Sequence, residues 1–175
     1  MINIPLGAGH CAVAVGWALF RWRCCRKIGF SWKRECLQLL FLINLAVLYR
    51  FTFHPFGKVE GKVQPLLFEW AAVWPFRVNL VPLVNILQYD SRRDLLLNLI
   101  GNSTMFIPTG ILLPSLYQNM RSFKKTVLNG CALSLAIELL QLPFAVRASD
   151  VDDVILNTAG CILGYGLWYL VRKRK

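Results

Sequence analysis

The sequence predicts an all-α fold: a polytopic transmembrane helical bundle of about five spans, or four if the first is not inserted. Three observations predict it. Of the 175 residues, 56% are apolar and only 17% are charged, against about a quarter charged in an ordinary soluble domain. The apolar residues form runs of membrane-crossing length rather than amphipathic alternation. The cations gather in short clusters between those runs, as membrane orientation requires.

In order, the spans fall at residues 4–20, 36–53, 94–117, 126–146 and 153–171, each near the ~20 residues a bilayer core needs. The first is the weakest by composition, since Gly7, Gly9, Gly16 and His10 interrupt it. It lacks the basic leading region of a signal peptide, and its positive charge follows the apolar stretch instead. Arg21, Arg23, Arg26, Lys27, Lys33 and Arg34 lie between spans 1 and 2; Arg121, Lys124 and Lys125 lie between spans 3 and 4; Arg172–Lys175 close the chain. Placing these on the cytoplasmic side puts the N-terminus, residues 54–93 and residues 147–152 outside, and the C-terminus inside. The expected location is therefore the cell membrane. The net charge of +11 is explained by this loop pattern and by anionic inner-leaflet lipid, so no nucleic-acid partner is expected.

Three units follow: residues 1–74, with two spans, a basic loop and an interfacial segment; residues 75–171, with three spans; and a basic tail at 172–175. In the long outer loop, Trp70 and Trp74 share a helical face suited to the headgroup level, while Pro82 argues against a regular helix over 79–89. The six cysteines show no CxxC pair or Cys/His metal spacing, and neither a cofactor nor a metal site is expected. Gly101, Gly110, Gly160, Gly164 and Gly166 fall within spans, where small residues allow close helix approach.

The polar residues inside spans 3–5 carry the functional signal. Asn98 and Asn102 are spaced i,i+4 and Glu138 and Gln141 i,i+3, while Asp150, Asp153 and Asn157 stand at the mouth of span 5 behind Arg147. These spacings put each set on one helical face, and lipid forces such faces inward. A rise of 1.5 Å per residue places Asn98 and Asn102 roughly 6 and 12 Å below the outer end of span 3. The same rise places Gln141 and Glu138 roughly 8 and 12 Å deep, and Asn157 roughly 6 Å below Asp153. Three helices thus put polar groups at one level. Asn and Gln also serve as interhelical hydrogen-bonding glue, whereas an intramembrane carboxylate such as Glu138 marks a functional site by default. Ser149-x-x-Asp152 reads as a capping box with Ser149 as the N-cap. No Ser/His/Asp set exists, since His10 and His54 lie far off in sequence; Glu138 and Asp153 are the candidates for acid/base or oxygen-ligand chemistry.

Asn98-Leu99-x-x-Asn102-x-x-x-Phe106-x-Pro108-x-Gly110, followed by Leu113-Pro114, resembles the first signature of the VanZ-like membrane proteins. Ser134-x-x-x-Glu138-x-x-Gln141 resembles the second, and Arg147-x-x-Asp150-x-x-Asp153-Val154-x-x-Asn157-Thr158-x-Gly160 with Gly164 the third. Asn79-Leu80-x-Pro82 matches the short motif ahead of them; Val146 stands where the family often has Gly. The resemblance covers about residues 75–166. It implies a small multi-pass envelope protein of a family with no established reaction. The family's founding member lowers susceptibility to teicoplanin-type lipoglycopeptides without making the altered cell-wall precursor.

Together these readings favour a non-enzymatic, outward-facing polar pocket that engages a membrane lipid or lipoglycopeptide amphiphile. Its ligand-binding candidates are Asn98, Asn102, Glu138, Gln141, Arg147, Asp150, Asp153 and Asn157. The alternative is a membrane-embedded enzyme acting on a lipid-linked envelope substrate. A transporter comes third, because five spans leave little room for inverted repeats unless the chain forms a homo-oligomer.

Overall fold

A computed structural model describes residues 2–4, 6–28, 30–53, 58–59, 62–63, 66–68, 78–82, 91–144 and 149–174. Five α-helices dominate: α1 (Leu6–Ile28), α2 (Trp32–Phe53), α3 (Arg92–Leu116), α4 (Phe123–Gln141) and α5 (Val151–Lys173). The all-α expectation holds. By length and composition α2, α5 and the Leu95–Leu116 part of α3 are apolar enough to cross a membrane.

Helix ends differ from the apolar limits for physical reasons. α1 runs on through Arg21, Arg23 and Arg26 to Ile28, because arginine is a good helix former and no Gly or Pro intervenes before Gly29. Arg21 is buried and pairs with Glu35 of α2, so it is an interhelical ion pair as well as a member of a basic cluster. α4 stops at Gln141, five residues earlier than its apolar run, since Pro143 cannot continue a helix and residues 142–143 turn. α5 begins two residues before Asp153.

The closest helix pairing is α3 against α5, and glycine makes it possible. A Cβ on Gly160 would lie 1.9 Å from the Ser103 carbonyl oxygen, one on Gly164 2.1 Å from that of Ile107, and one on Gly110 2.1 Å from that of Cys161. Backbone thus meets backbone on both sides of the crossing. Gly101 and Gly166 do not share this role: nothing lies within 4 Å of a Cβ built on either. A small apolar core of Leu48, Phe106 and Ile137 joins α2, α3 and α4. Asn44 tightens the same junction. Its Nδ2 donates to the Met105 carbonyl at 3.0 Å, and its Oδ1 accepts from Thr109 Oγ1 at 2.7 Å.

Short strands gather the chain's irregular parts at one end of the bundle. β1 (Ile2–Ile4) pairs antiparallel with β4 (Leu66–Phe68), and β2 (Lys58–Val59) with β3 (Lys62–Val63). β5 (Val78–Asn79) pairs in parallel with β6 (Ser149–Asp150), in register Val78 to Ser149 and Asn79 to Asp150. Phe144 bridges to Phe68 and meets Phe53 edge-on at 5.8 Å. Residues 2–4, 66–68 and 78–79 and the mouth of α5 are thereby tied together through these pairings. Residues 78–82 are non-helical, in line with the reading of Pro82. Trp70 and Trp74 lie outside the described residues.

Candidate functional site

The polar sets on α3, α4 and α5 converge on one cavity of about 1180 Å³ between α2 and α3. Asn98, Asn102, Glu138, Gln141, Asp153 and Asn157 all line it. The rest of its wall is mostly apolar, with Leu40, Ile43, Val47 and Phe51 from α2 and Leu97, Met105 and Ile111 from α3, joined by Asn44, Thr52 and Thr104. Leu40, Ile43 and Leu97 among them are largely exposed. The cavity thus has a polar floor and a hydrocarbon-facing side. It exceeds the ~300–1,000 Å³ usual for small-molecule pockets.

Five of the six polar side chains, all but Asn98, are held by hydrogen bonds. Asn102 donates through Nδ2 to the Asp153 carboxylate, tying α3 to α5. Gln141 donates through Nε2 to the Thr52 carbonyl at the end of α2, 3.0 Å away. Asn157 donates through Nδ2 to Ser134 Oγ at 2.9 Å, tying α5 to α4. Glu138 is 4% exposed; its Oε2 accepts the backbone N–H of Asp150 at 3.1 Å. The Ser149 hydroxyl donates to the Glu138 carbonyl at 2.6 Å, so the chain entering α5 is fastened to α4 by backbone and side chain together.

Ser149 is therefore not the helix cap. Asp150 takes that position, its Oδ1 accepting from Asp152 N at 3.0 Å. The capping-box spacing pointed one residue too early because Ser149 is drawn away by Glu138. Asp150 also accepts from Asn79 Nδ2 at 3.2 Å, and Asn79 in turn accepts the Val81 N–H at 3.1 Å. Asp150 thus clasps the loop to the bundle at the cavity's edge, while Asp153 and Asn157 line the cavity itself. Asn98 lines it nearer the start of α3. Arg147 lies outside the described residues. Among the described residues no three His, Cys, Asp or Glu side chains converge as metal ligands.

Sequence reasoning missed four contributors. Ser134 and Asn79 were visible in the motifs, but only the fold brings them to Asn157 and Asp150. Asn44 and Thr52 of α2 were missed because span 2 reads as generic; a lone Asn in so apolar a run was the available signal.

The sequence comparisons decide what kind of protein carries this cavity. A profile of the VanZ/LLP1 family matches residues 30–172. The chain belongs to the VanZ/LLP1 family. The matched region takes in α2 as well as the three helices that bear the motifs, so all four walls of the cavity are family territory. The chain is also 39% identical over 75 residues to Protein VanZ of Enterococcus faecium, a match spanning 43% of this chain and 46% of that protein. The chain therefore aligns with about half the length of that curated relative. No solved structure matches.

Proposed function

We propose that this VanZ/LLP1-family membrane protein lowers susceptibility to teicoplanin-type lipoglycopeptides by engaging an amphiphile in its polar-floored cavity, without catalysing a reaction. One observation carries the reading: six amide and acid residues from three helices line a single cavity whose α2 side is mostly apolar. An amphiphile has the matching division, with a head for the amides and acids and a chain for α2 and α3. The link to teicoplanin comes from the resemblance of the motifs to the VanZ-like proteins, and the likeness to Protein VanZ supports it.

In this reading all five helices cross the membrane. α4, at 19 residues, spans roughly 28 Å at 1.5 Å per residue, close to a ~30 Å hydrocarbon core. The N-terminus faces outward and the C-terminus the cytoplasm. The end with the β-pairings carries the cavity's polar floor, and the opposite end carries Arg121, Lys124, Lys125, Arg172 and Lys173. There Tyr165 Oη donates to the Arg121 carbonyl at 2.8 Å, and Arg172 sits 5.2 Å from the Trp168 ring centre.

The test is expression in a susceptible Gram-positive host, comparing teicoplanin with vancomycin. A rise in teicoplanin tolerance without an equal rise for vancomycin is the expected result; unchanged teicoplanin susceptibility at verified protein level rejects the role. A second reading is favoured by one observation, that Glu138 and Asp153 line the same cavity. It makes the protein an enzyme acting on a lipid-linked envelope substrate. Glu138→Gln and Asp153→Asn separate the two. Catalysis requires near-complete loss of effect at an undiminished protein level, whereas binding requires a graded loss.

A further inference from the structure

The hydrogen bonds in the cavity have a consistent direction. Asn102, Gln141 and Asn157 each spend an amide nitrogen on the protein: on the Asp153 carboxylate, the Thr52 carbonyl and Ser134 Oγ. Of the two ends of an amide only the nitrogen can donate to a carbonyl or carboxylate, so the first two amides are fixed in orientation by their partners. Among the described residues nothing donates to the three amide oxygens left over. Asn157 Oδ1 is fully buried and without a partner, on a residue 5% exposed. Buried acceptors of this kind are rare and call for a donor. The three oxygens stand on three different helices, α3, α4 and α5.

We infer that the cavity selects an amphiphile whose head carries several hydroxyl donors, a glycolipid-type sugar head, with its hydrocarbon chain leaving between α2 and α3. The inference rests on the amphiphile-binding reading above and specifies its ligand. A phosphocholine head has no hydrogen-bond donor and leaves all three oxygens unmet. A single ammonium is a point donor, poorly matched to acceptors spread over three helices. A sugar ring presents several hydroxyls in different directions, and each can donate to one amide oxygen while accepting from Asn98. The chain's exit is marked by exposed Leu40, Ile43 and Leu97 at the rim. Gly101 also lines the cavity, with nothing within 4 Å of where its Cβ would stand, so a side chain there starts in open space and occupies part of the cavity.

The full-length chain and its Gly101→Leu variant, purified in detergent, are offered three lipids with identical dioleoyl chains: glucosyl-diacylglycerol, phosphatidylethanolamine and phosphatidylcholine. Bound lipid is read by native mass spectrometry, and folding by the thermal midpoint of each preparation. The expected result is retention of the glucosyl lipid about tenfold above phosphatidylcholine, the ratio set by one to two hydrogen bonds left unmade. In Gly101→Leu that retention is lost at an unchanged thermal midpoint. Equal retention of all three lipids, still abolished by Gly101→Leu, overturns the sugar-head inference and leaves the amphiphile reading standing. Preference for phosphatidylethanolamine over the glucosyl lipid overturns it in favour of an ammonium head. Retention of every lipid at the same level in both proteins removes the cavity from lipid binding and takes the underlying reading with it.

Discussion

The two faces of α3 solve opposite problems. Toward α5 the two backbones meet through glycines: Gly110 faces the Cys161 carbonyl, and Gly160 and Gly164 of α5 face the Ser103 and Ile107 carbonyls. Toward α2 the same helix stands back, and Gly101 opens onto a cavity of about 1180 Å³. Glycine serves both faces, once to bring backbones together and once to leave room. In a membrane, where lipid is as apolar as leucine, close backbone packing is a main source of helix association. Concentrating it at α3–α5 lets α2 be held by few contacts, chiefly Asn44 and the Leu48, Phe106 and Ile137 cluster, around a space.

That contrast can be broken at four points. The largest effect is expected for Gly160→Leu, whose Cβ would fall 1.9 Å from a backbone oxygen. Its cost should exceed the ~3 kcal/mol of ordinary overpacking, and fluorescence-detected gel filtration should show little folded protein. A normal profile would mean that α3 and α5 do not cross at this glycine. Asp150→Ala comes next. It removes the N-cap of α5 and the Asn79 contact, at a cost of about 1–2 kcal/mol, measured as a lowered thermal midpoint. Asn44→Leu removes both hydrogen bonds between α2 and α3; polar pairs between membrane helices are worth about 0.6–2 kcal/mol, and thermal denaturation in detergent should show a drop of that size. The smallest change in stability is expected for Gly101→Leu, within about 0.5 kcal/mol, with teicoplanin tolerance falling to that of cells lacking the protein. Retained tolerance would place the functional surface elsewhere.

How much of this was legible in the sequence depends on whether a residue's role is local. Helical periodicity put Asn98 with Asn102, and Glu138 with Gln141, because a 3.6-residue repeat is a property of the chain itself. Helix depth then set these groups and Asn157 at one level, and the cavity contains all five. The spacing of Gly160 and Gly164 likewise predicted close packing. What failed required knowing the partner. Gly101 looked like Gly110 in sequence but faces a different neighbour. Ser149 looked like a cap until the Glu138 carbonyl, 11 residues back, drew its hydroxyl away. Asn79 finds Asp150 across 71 residues, a separation no periodicity encodes. α2 was read as a generic span because its apolar wall residues carry no mark, and only Asn44 betrays that it faces something.

The parallel pairing of Val78 and Asn79 with Ser149 and Asp150 has a consequence for how the protein is made. Parallel strands cannot be joined by a tight turn and need a crossover between them, here supplied by α3 and α4. During synthesis the first strand must wait until both helices have been made and the second strand has emerged. Glu138 and Asn102 meet their partners on Asp150 and Asp153 only then. The polar floor is thus completed by α5, and a chain halted before residue 149 leaves Asn102 without Asp153 and Glu138 without the Asp150 N–H, while Gln141 already has the Thr52 carbonyl.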